Sequence, residues 1–162
     1  MDETAEAFWT FSLAFYRRPG VSPACIALQD RHGCDVNLVL YACWVGLSGR
    51  GRLARADLAR ADAVNAPWRS GVIETLRAAR RTIGEEDRRG AMLELYQAAK
   101  AVELAAERIA QRRLEALAPL EAAPDGAARA AAAAANLALY LDGKAAGAAA
   151  APIFAAIADW AG

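Results

Sequence analysis

One stretch of the sequence has almost no polar side chain. The segment VNLVLYACWVGL, residues Val36–Leu47, would present apolar residues on nearly every side of a helix. A helix that is apolar all round lies either in a protein core or in a membrane. Its 12 residues fall short of the roughly 20 that are needed to cross a bilayer. The segment therefore predicts a central core helix that other helices of the chain surround.

The rest of the chain carries helix signals, and no stretch shows sustained alternation of β-branched and polar residues. The length, 162 residues, is near that of one ordinary domain. We therefore predict an all-α, single-domain bundle of about seven to eight helices around Val36–Leu47. Residues 1–118 form its better-defined core, residues 119–126 a linker and residues 127–162 Ala-rich C-terminal helices.

Glycine, proline and capping residues indicate where the helices begin and end. Pro19 ends the first helix, and Gly33 ends the second, which Ser22 caps. Asp35 is well placed to cap the central helix, because its carboxylate can accept hydrogen bonds from the free amides near Asn37. The predicted helices cover residues 4–17, 23–32, 36–47, 53–63, 67–83, 85–118, 126–141 and 152–160.

The longest predicted helix carries a seven-residue apolar repeat. Leu95, Val102 and Ile109 follow one another at this spacing, and alanines flank them. Small residues let a partner helix approach closely. Three repeats do not establish a coiled coil between molecules, so we expect these side chains to pack inside the bundle.

Two carboxylates, Glu103 and Glu107, lie one turn apart on the same helix. That spacing lets a pair of carboxylates share an ion or a basic partner, but a di-metal bundle would also need Glu-x-x-His motifs, which the chain lacks. We expect the pair to belong to a solvated face with Lys100 and Arg108.

Charge and cysteine content limit the classes of function. Lys plus Arg and Asp plus Glu number 19 each, so the chain has no overall bias toward nucleic acid or an anionic membrane. The window 50–81 holds eight arginines, but they form a phosphate site only if they share a face. Three cysteines without CxxC spacing and an N-terminus without an export signal predict a cytoplasmic protein, with no membrane span and no nucleic-acid partner.

Four residues of metal-ligand type, Asp30, His32, Cys34 and Asp35, lie within six positions. Adjacent side chains rarely converge on one ion, and no second histidine is present, so we predict no metal site. Cys34 beside His32 raises the hypothesis of a reactive thiolate at a helix start, but the two side chains need not meet. The sequence lacks GxSxG, P-loop and GxGxxG motifs, and we predict no catalytic residue and no cofactor.

An aromatic-lined pocket is an alternative that the sequence leaves open. Aromatic side chains of the bundle, together with polar groups beside the central helix, could line an apolar wall with a few polar contacts. The candidate ligand-binding residues are Trp9, Gln29, Asp30, Asp35, Asn37 and Trp44. If Asp35 is only a helix cap, Asp35→Asn should be nearly harmless, because asparagine caps equally well.

The N-terminal half resembles a family of conserved bacterial proteins of unknown function. The resemblance lies in Trp9, Tyr16, Pro19-Gly20-Val21, Cys25, Leu28-Gln29-Asp30, Gly33, Asp35-Val36-Asn37-Leu38 and Pro67-Trp68-Arg69. It implies a small bacterial helical protein and supplies no catalytic residues.

Absent enzyme motifs, neutral charge and extensive helical faces favour a non-enzymatic protein-interaction or regulatory module, which binds a protein partner or a second copy of itself. The alternative is a small-molecule-binding protein or enzyme that uses the pocket near Gln29, Asp30, Asp35 and Asn37.

Overall fold

The computed structural model of the chain describes residues 6–122 and 125–160. These residues are largely helical and contain no strand, which confirms the all-α prediction. A π-helical turn, Arg69–Ile73, joins the fourth helix to the fifth without a break. The α-helices are α1 (Ala7–Tyr16), α2 (Val21–His32), α3 (Val36–Leu47), α4 (Arg55–Trp68), α5 (Glu74–Gly84), α6 (Ala91–Glu115), α7 (Gly126–Leu141) and α8 (Gly147–Ala158).

The centre of the fold is α3, which begins and ends where the sequence predicted. Eleven of its twelve residues are buried, because α7, α6, α1, α2 and α4 all pack against it. The most extensive of these contacts is with α7. Among the described helices, none combines the length and the apolar character that crossing a bilayer would require.

The backbones of α3 and α7 approach each other closely at Gly46. A Cβ atom added to Gly46 would lie 2.1 Å from the backbone nitrogen of Ala133 and 2.7 Å from its Cβ. Ala132 and Ala133 are buried at this contact. The small side chains of the Ala-rich segment therefore have a packing role here, since they bring the two helix backbones together.

An aromatic cluster fills the space between α1 and α3. The rings of Phe8 and Trp44 stack with centroids 5.0 Å apart, and Tyr41 meets Phe8 edge-on at 5.8 Å. The guanidinium of Arg50 lies 4.8 Å from the Trp44 ring centre. Trp44 is thus a core residue whose ring makes a cation–π contact with Arg50.

One buried amide ties α7 to the loop that follows α3. Asn136 accepts a hydrogen bond from the Leu53 amide at 2.7 Å and donates to the carbonyls of Ala42 at 3.3 Å and Gly51 at 3.0 Å. A buried polar group is tolerated only when its hydrogen bonds are satisfied. Asn136 therefore fixes the register between the Ala-rich helix and the central one.

The predicted helix break before Pro67 is wrong, because α4 runs through this residue. Proline removes one backbone hydrogen bond and crowds the preceding turn. Pro67 is exposed, and the π turn Arg69–Ile73 follows it directly. A wider turn and access to solvent let the helix continue. Pro152 likewise lies inside α8, which begins earlier than predicted, at Gly147.

The predicted start of the longest helix at Glu85 is also wrong, since α6 begins at Ala91. Gly90 precedes it with φ 53° and ψ −132°, a backbone conformation that excludes helix. The acidic run from Glu85 belongs to the connection between α5 and α6. The first helix begins at Ala7, and the predicted start at Thr4 lies outside the described residues.

Gly46→Ala should destabilise the protein by about 3 kcal/mol, because the new methyl group meets backbone atoms that cannot move without separating α3 from α7. Gly147→Ala is the matched control, since a Cβ there meets no atom within 4 Å. Urea unfolding of both variants measures the effect. An equal stability of the two variants would contradict the close approach.

Candidate functional site

Polar residues of five helical elements meet at the start of α3. Asp35 Oδ1 accepts a hydrogen bond from the Asn37 amide at 2.9 Å, which confirms the predicted cap. Its other oxygen accepts from Asn65 Nδ2 at 2.6 Å and from Arg69 at 2.9 Å. The residue is only 8% exposed. Asp35 is therefore both a helix cap and a buried counter-ion, which the sequence did not predict.

Arg69, on the π turn, bridges two carboxylates. It contacts Asp35 and Asp62 at 2.9 Å each. Burial acts to lower the pKa of Arg69, but the hydrogen bonds to these two carboxylates outweigh it and raise the pKa. The guanidinium thus carries a fixed positive charge beside the start of α3.

A second set of contacts joins α3 to α6. Asn37 donates through Nδ2 to Glu107, and Gln111 Nε2 donates to Asn37 Oδ1 at 3.0 Å. The Glu107 side chain is 20% exposed, and burial raises the pKa of this carboxyl. Asn37, which interrupts the apolar α3, is thereby satisfied by α6.

Two arginines of α5 complete the network. Arg77 contacts Glu103 at 3.1 Å and Glu107 at 2.7 Å, and Arg80 also contacts Glu103. The expected solvated face with Lys100 and Arg108 is therefore wrong for these two glutamates. The helical wheel of α6 alone does not reveal that α5 folds back and brings its arginines to this face.

A cleft of about 220 Å³ opens beside the network. A second cleft, of about 380 Å³, adjoins it and shares Gly33, Asp35 and Arg69. No side chain that lines the first cleft is aromatic, and Tyr140 is the aromatic residue of the second. The first is lined by Gln29, Gly33, Cys34, Asp35, Val36, Asn37, Arg69, Ile73, Glu74, Arg77 and Glu107.

The six candidate ligand-binding residues do not all converge. Gln29, Asp35 and Asn37 line the first cleft. Asp30 lies outside both clefts and pairs with Arg81 at 3.1 Å. Trp9 lies 6.0 Å from the Arg108 guanidinium on α6, and Trp44 belongs to the core cluster described above.

The thiolate hypothesis for Cys34 has no support in the geometry. Burial raises the pKa of the Cys34 thiol, where a reactive thiolate would need a lowered one. Its Sγ donates to the backbone carbonyl of His32 at 3.8 Å, while the His32 ring lies 3.2 Å from the carbonyl of Lys144. In the described part of the chain, no three side chains of His, Cys, Asp or Glu come together as metal ligands.

The arginine-rich window does not form an open phosphate-binding patch at α5. Arg69, Arg77, Arg80 and Arg81 all pair with carboxylates of the same chain. Carboxylates of the same chain therefore neutralise these four positive charges.

An apolar surface that the sequence analysis placed inside the bundle is exposed. Leu95, Val102 and Ile109 are 51%, 53% and 40% exposed, so the expected internal packing is wrong. No residue of the hairpin segment 74–102, from α5 into α6, is buried. The reason is that α5 packs mainly against α6 and the π turn, and the other described helices bury none of residues 91–102 of α6.

Alanines alternate with these exposed side chains at spacings of three and four residues. We call the resulting surface the α6 stripe, and it consists of Ala91, Leu95, Ala98, Val102, Ala105 and Ile109. The stripe borders the continuous helix formed by α4, the π turn and α5. Trp68 of α4 contacts α6 there, since its Nε1 donates to the carbonyl of the buried Ala106 at 2.9 Å. Val102 and Ile109 lie one turn on either side of Ala106. The partly buried Val72 and Leu76 extend the same small cluster.

A family model described as "Protein of unknown function (DUF2390)" matches residues 7–114, roughly the N-terminal two-thirds of the chain. This match confirms the resemblance to a family of unknown function. No curated protein and no solved structure matches the chain. The matched region contains the Asp35 network and the α6 stripe, whereas α7 and α8 lie beyond it.

Asp35→Asn should destabilise the protein by about 2 to 3 kcal/mol, although asparagine keeps the cap. The substitution leaves Arg69 without its most buried counter-ion and places an NH₂ group near the Asn65 donor. Asp125→Asn is the matched control, because Asp125 caps α7 through the Ala128 amide at 2.8 Å in an exposed position. Chemical unfolding should find less than about 0.5 kcal/mol there. Equal effects would reduce Asp35 to a cap.

Glu107→Gln should alter how stability depends on pH. Because burial raises the pKa of Glu107 above the ordinary value of 4.5, the folded state holds a proton that the unfolded chain has already released. The contribution of Glu107 to the free energy of unfolding therefore falls as pH rises from 4.5 through the raised pKa. Unfolding curves of both proteins across this range should show the wild type losing its advantage with pH. A growing advantage would contradict the raised pKa.

Proposed function

The chain belongs to a family of proteins of unknown function (DUF2390), so we propose a role from its own geometry. We propose that the protein is a non-enzymatic protein-interaction module. The α6 stripe is its docking surface, and the partner presents an amphipathic helical surface to it. Regulation through this contact and a cytoplasmic location are parts of the same proposal.

The observation that carries the proposal is the hairpin segment 74–102, which has no buried residue in spite of its apolar side chains. Proteins in water seldom leave a contiguous apolar face uncovered unless that face binds something. Leu95 and Val102 are each about half exposed, so a partner would remove much apolar surface from water. Burial of such surface is the main favourable term in protein association.

The spacing within the α6 stripe supports a helical partner. Side chains at alternating three- and four-residue intervals form a narrow seam on one side of a helix, as in coiled-coil contacts. Ala98 and Ala105 lie between the large side chains, and small residues allow two backbones to approach closely. Trp68 and Leu76 broaden the apolar surface toward α5.

The Asp35 network supports an architectural role. Arg69 and Arg77 line the first cleft, but both are paired with carboxylates. Together with the hydrogen bond from Asn37 to Glu107, these pairs join α3, α4, the π turn, α5 and α6. The network thereby positions the hairpin segment relative to the core.

A second candidate function is the binding of a small polar ligand in the first cleft. One observation favours it: the buried side-chain oxygens of Asn65 and Gln111 accept no hydrogen bond from the described residues. Both amides contact residues that line the cleft, Asp35 and Asn37. The π turn lies at the same place, and π-helical turns are frequent at functional sites.

Val102→Glu should remove the partner, whereas Leu104→Glu should not. The two side chains are equally exposed, at 53% and 51%, but they lie on different faces of α6. A charge in the stripe would have to be buried without a partner in the complex. The measurement is mass spectrometry of the cross-linked complex that the tagged full chain forms in its native host.

Two results would contradict the proposal. One is a complex that survives Val102→Glu as well as it survives Leu104→Glu. The other is a wild-type chain recovered alone and monomeric with a stoichiometric small molecule, which would favour the second candidate.

A further inference from the structure

We propose that the occupant of the α6 stripe is a second copy of this chain, docked antiparallel so that the two α5–α6 hairpins form a four-helix bundle. This inference rests on the proposed function, in which the stripe is a docking surface. It adds the identity of the partner and the orientation in which it binds.

Charge complementarity along the stripe favours an antiparallel pair of copies. Glu94 borders the stripe near the start of α6, and Arg108 borders it on the same side two heptads later. A two-fold axis level with residue 100 places Glu94 beside Arg108 of the second copy, and does so twice. In a parallel pair the two copies of Glu94 would lie on opposite sides of the seam, and neither would meet Arg108.

Both charged groups are able to make this contact. Glu94 is exposed, and the described residues give it no hydrogen bond or ion pair. Arg108 pairs with Glu6 of its own chain, but a guanidinium has five N–H donors and can serve a second carboxylate. The antiparallel pair therefore gives Glu94 a counter-ion and breaks no existing contact.

Side-chain size fits the same alignment. With the axis at residue 100, each large side chain of the stripe lies opposite an alanine of the second copy. Leu95 lies opposite Ala105, Val102 opposite Ala98 and Ile109 opposite Ala91. Large side chains that insert between small ones allow interdigitated packing at a short distance between helices.

A second copy would also bury the apolar surface that the α5–α6 hairpin leaves exposed. Two antiparallel helices alone leave their apolar flanks in water, and pairing two such hairpins produces a common and stable bundle. Val72 on the π turn and Leu76 on α5 border the seam and would gain cover from the opposing hairpin. A two-fold contact uses the same patch on both chains, so one stripe supplies both sides.

Sedimentation equilibrium of the purified full chain tests the inference directly. We expect twice the chain mass of 17.1 kDa. Val102→Glu should weaken the dimer at least about 100-fold, because each dimer would bury two unpaired carboxylates. Leu104→Glu, at nearly the same exposure on another face, should leave the dissociation constant within about threefold of wild type. Circular dichroism confirms that both variants fold.

Mixing two charge reversals tests the orientation. Glu94→Arg alone and Arg108→Glu alone should each weaken the homodimer about tenfold, since like charges then face each other twice. An equimolar mixture of the two variants should recover the wild-type affinity as a heterodimer, because every facing pair is again opposite in sign. The contact with Glu6 that Arg108→Glu removes lies within one chain, so its loss is the same before and after the two chains associate.

Every outcome decides one question. A monomer in isolation, or a dimer that Val102→Glu leaves intact, overturns the second copy as occupant. A dimer whose affinity the mixture fails to recover overturns the antiparallel orientation. If the purified chain is monomeric but the complex in the native host still depends on Val102, this inference fails while the proposed function stands.

Discussion

A helix without a polar face, α3, determines the arrangement of this protein. Because nearly all its residues must leave water, helices have to cover it on all sides, and five of them do. Their cover is limited by the length of α3, twelve residues, or about 18 Å. The longer α6, with 25 residues, extends beyond the helix that it covers. The exposed hairpin segment is thus a geometric result of a short core helix and a long neighbour.

Charged groups, rather than apolar contacts, connect the core to that hairpin. Asp35 at one end of the network and Glu103 at the other are among the few charged residues that are buried, and arginines of the π turn and α5 neutralise them. Paired charges add little net stability when buried, but they are costly to separate. Such ion pairs are therefore suited to fixing the orientation of the hairpin segment relative to the core. The apolar surface of the hairpin is then left for binding.

The local features of the fold could be predicted from the sequence. Gly33 and Asp35 specify a helix end and a helix start through their own backbone and side-chain preferences, and the bounds of α3 follow from its composition. Pro67 misled the prediction because its effect depends on whether the next turn can widen. The acidic residues after Gly84 misled it because a favourable charge at a helix start does not overcome a non-helical residue at Gly90.

The site could be predicted only in part, because it depends on which helix lies beside which. Asn37 was predicted as a candidate ligand-binding residue beside the central helix, but nothing near it in the sequence indicates Glu107, 70 positions away. The same limit applies to the seven-residue repeat of α6. Its period identifies an apolar face correctly, but the period does not say whether that face meets the chain's own helices or water.

The contact between Gly46 and Ala133 also affects the order of events on the ribosome. The main cover of α3 comes from α7, about 90 residues later in the chain. At ordinary rates of synthesis α3 waits roughly 5 to 20 s before that cover exists. During this interval the side of α3 that faces α7 in the folded protein remains uncovered. Burial of the central helix is therefore complete only after the Ala-rich segment Gly126–Leu141 has been synthesised.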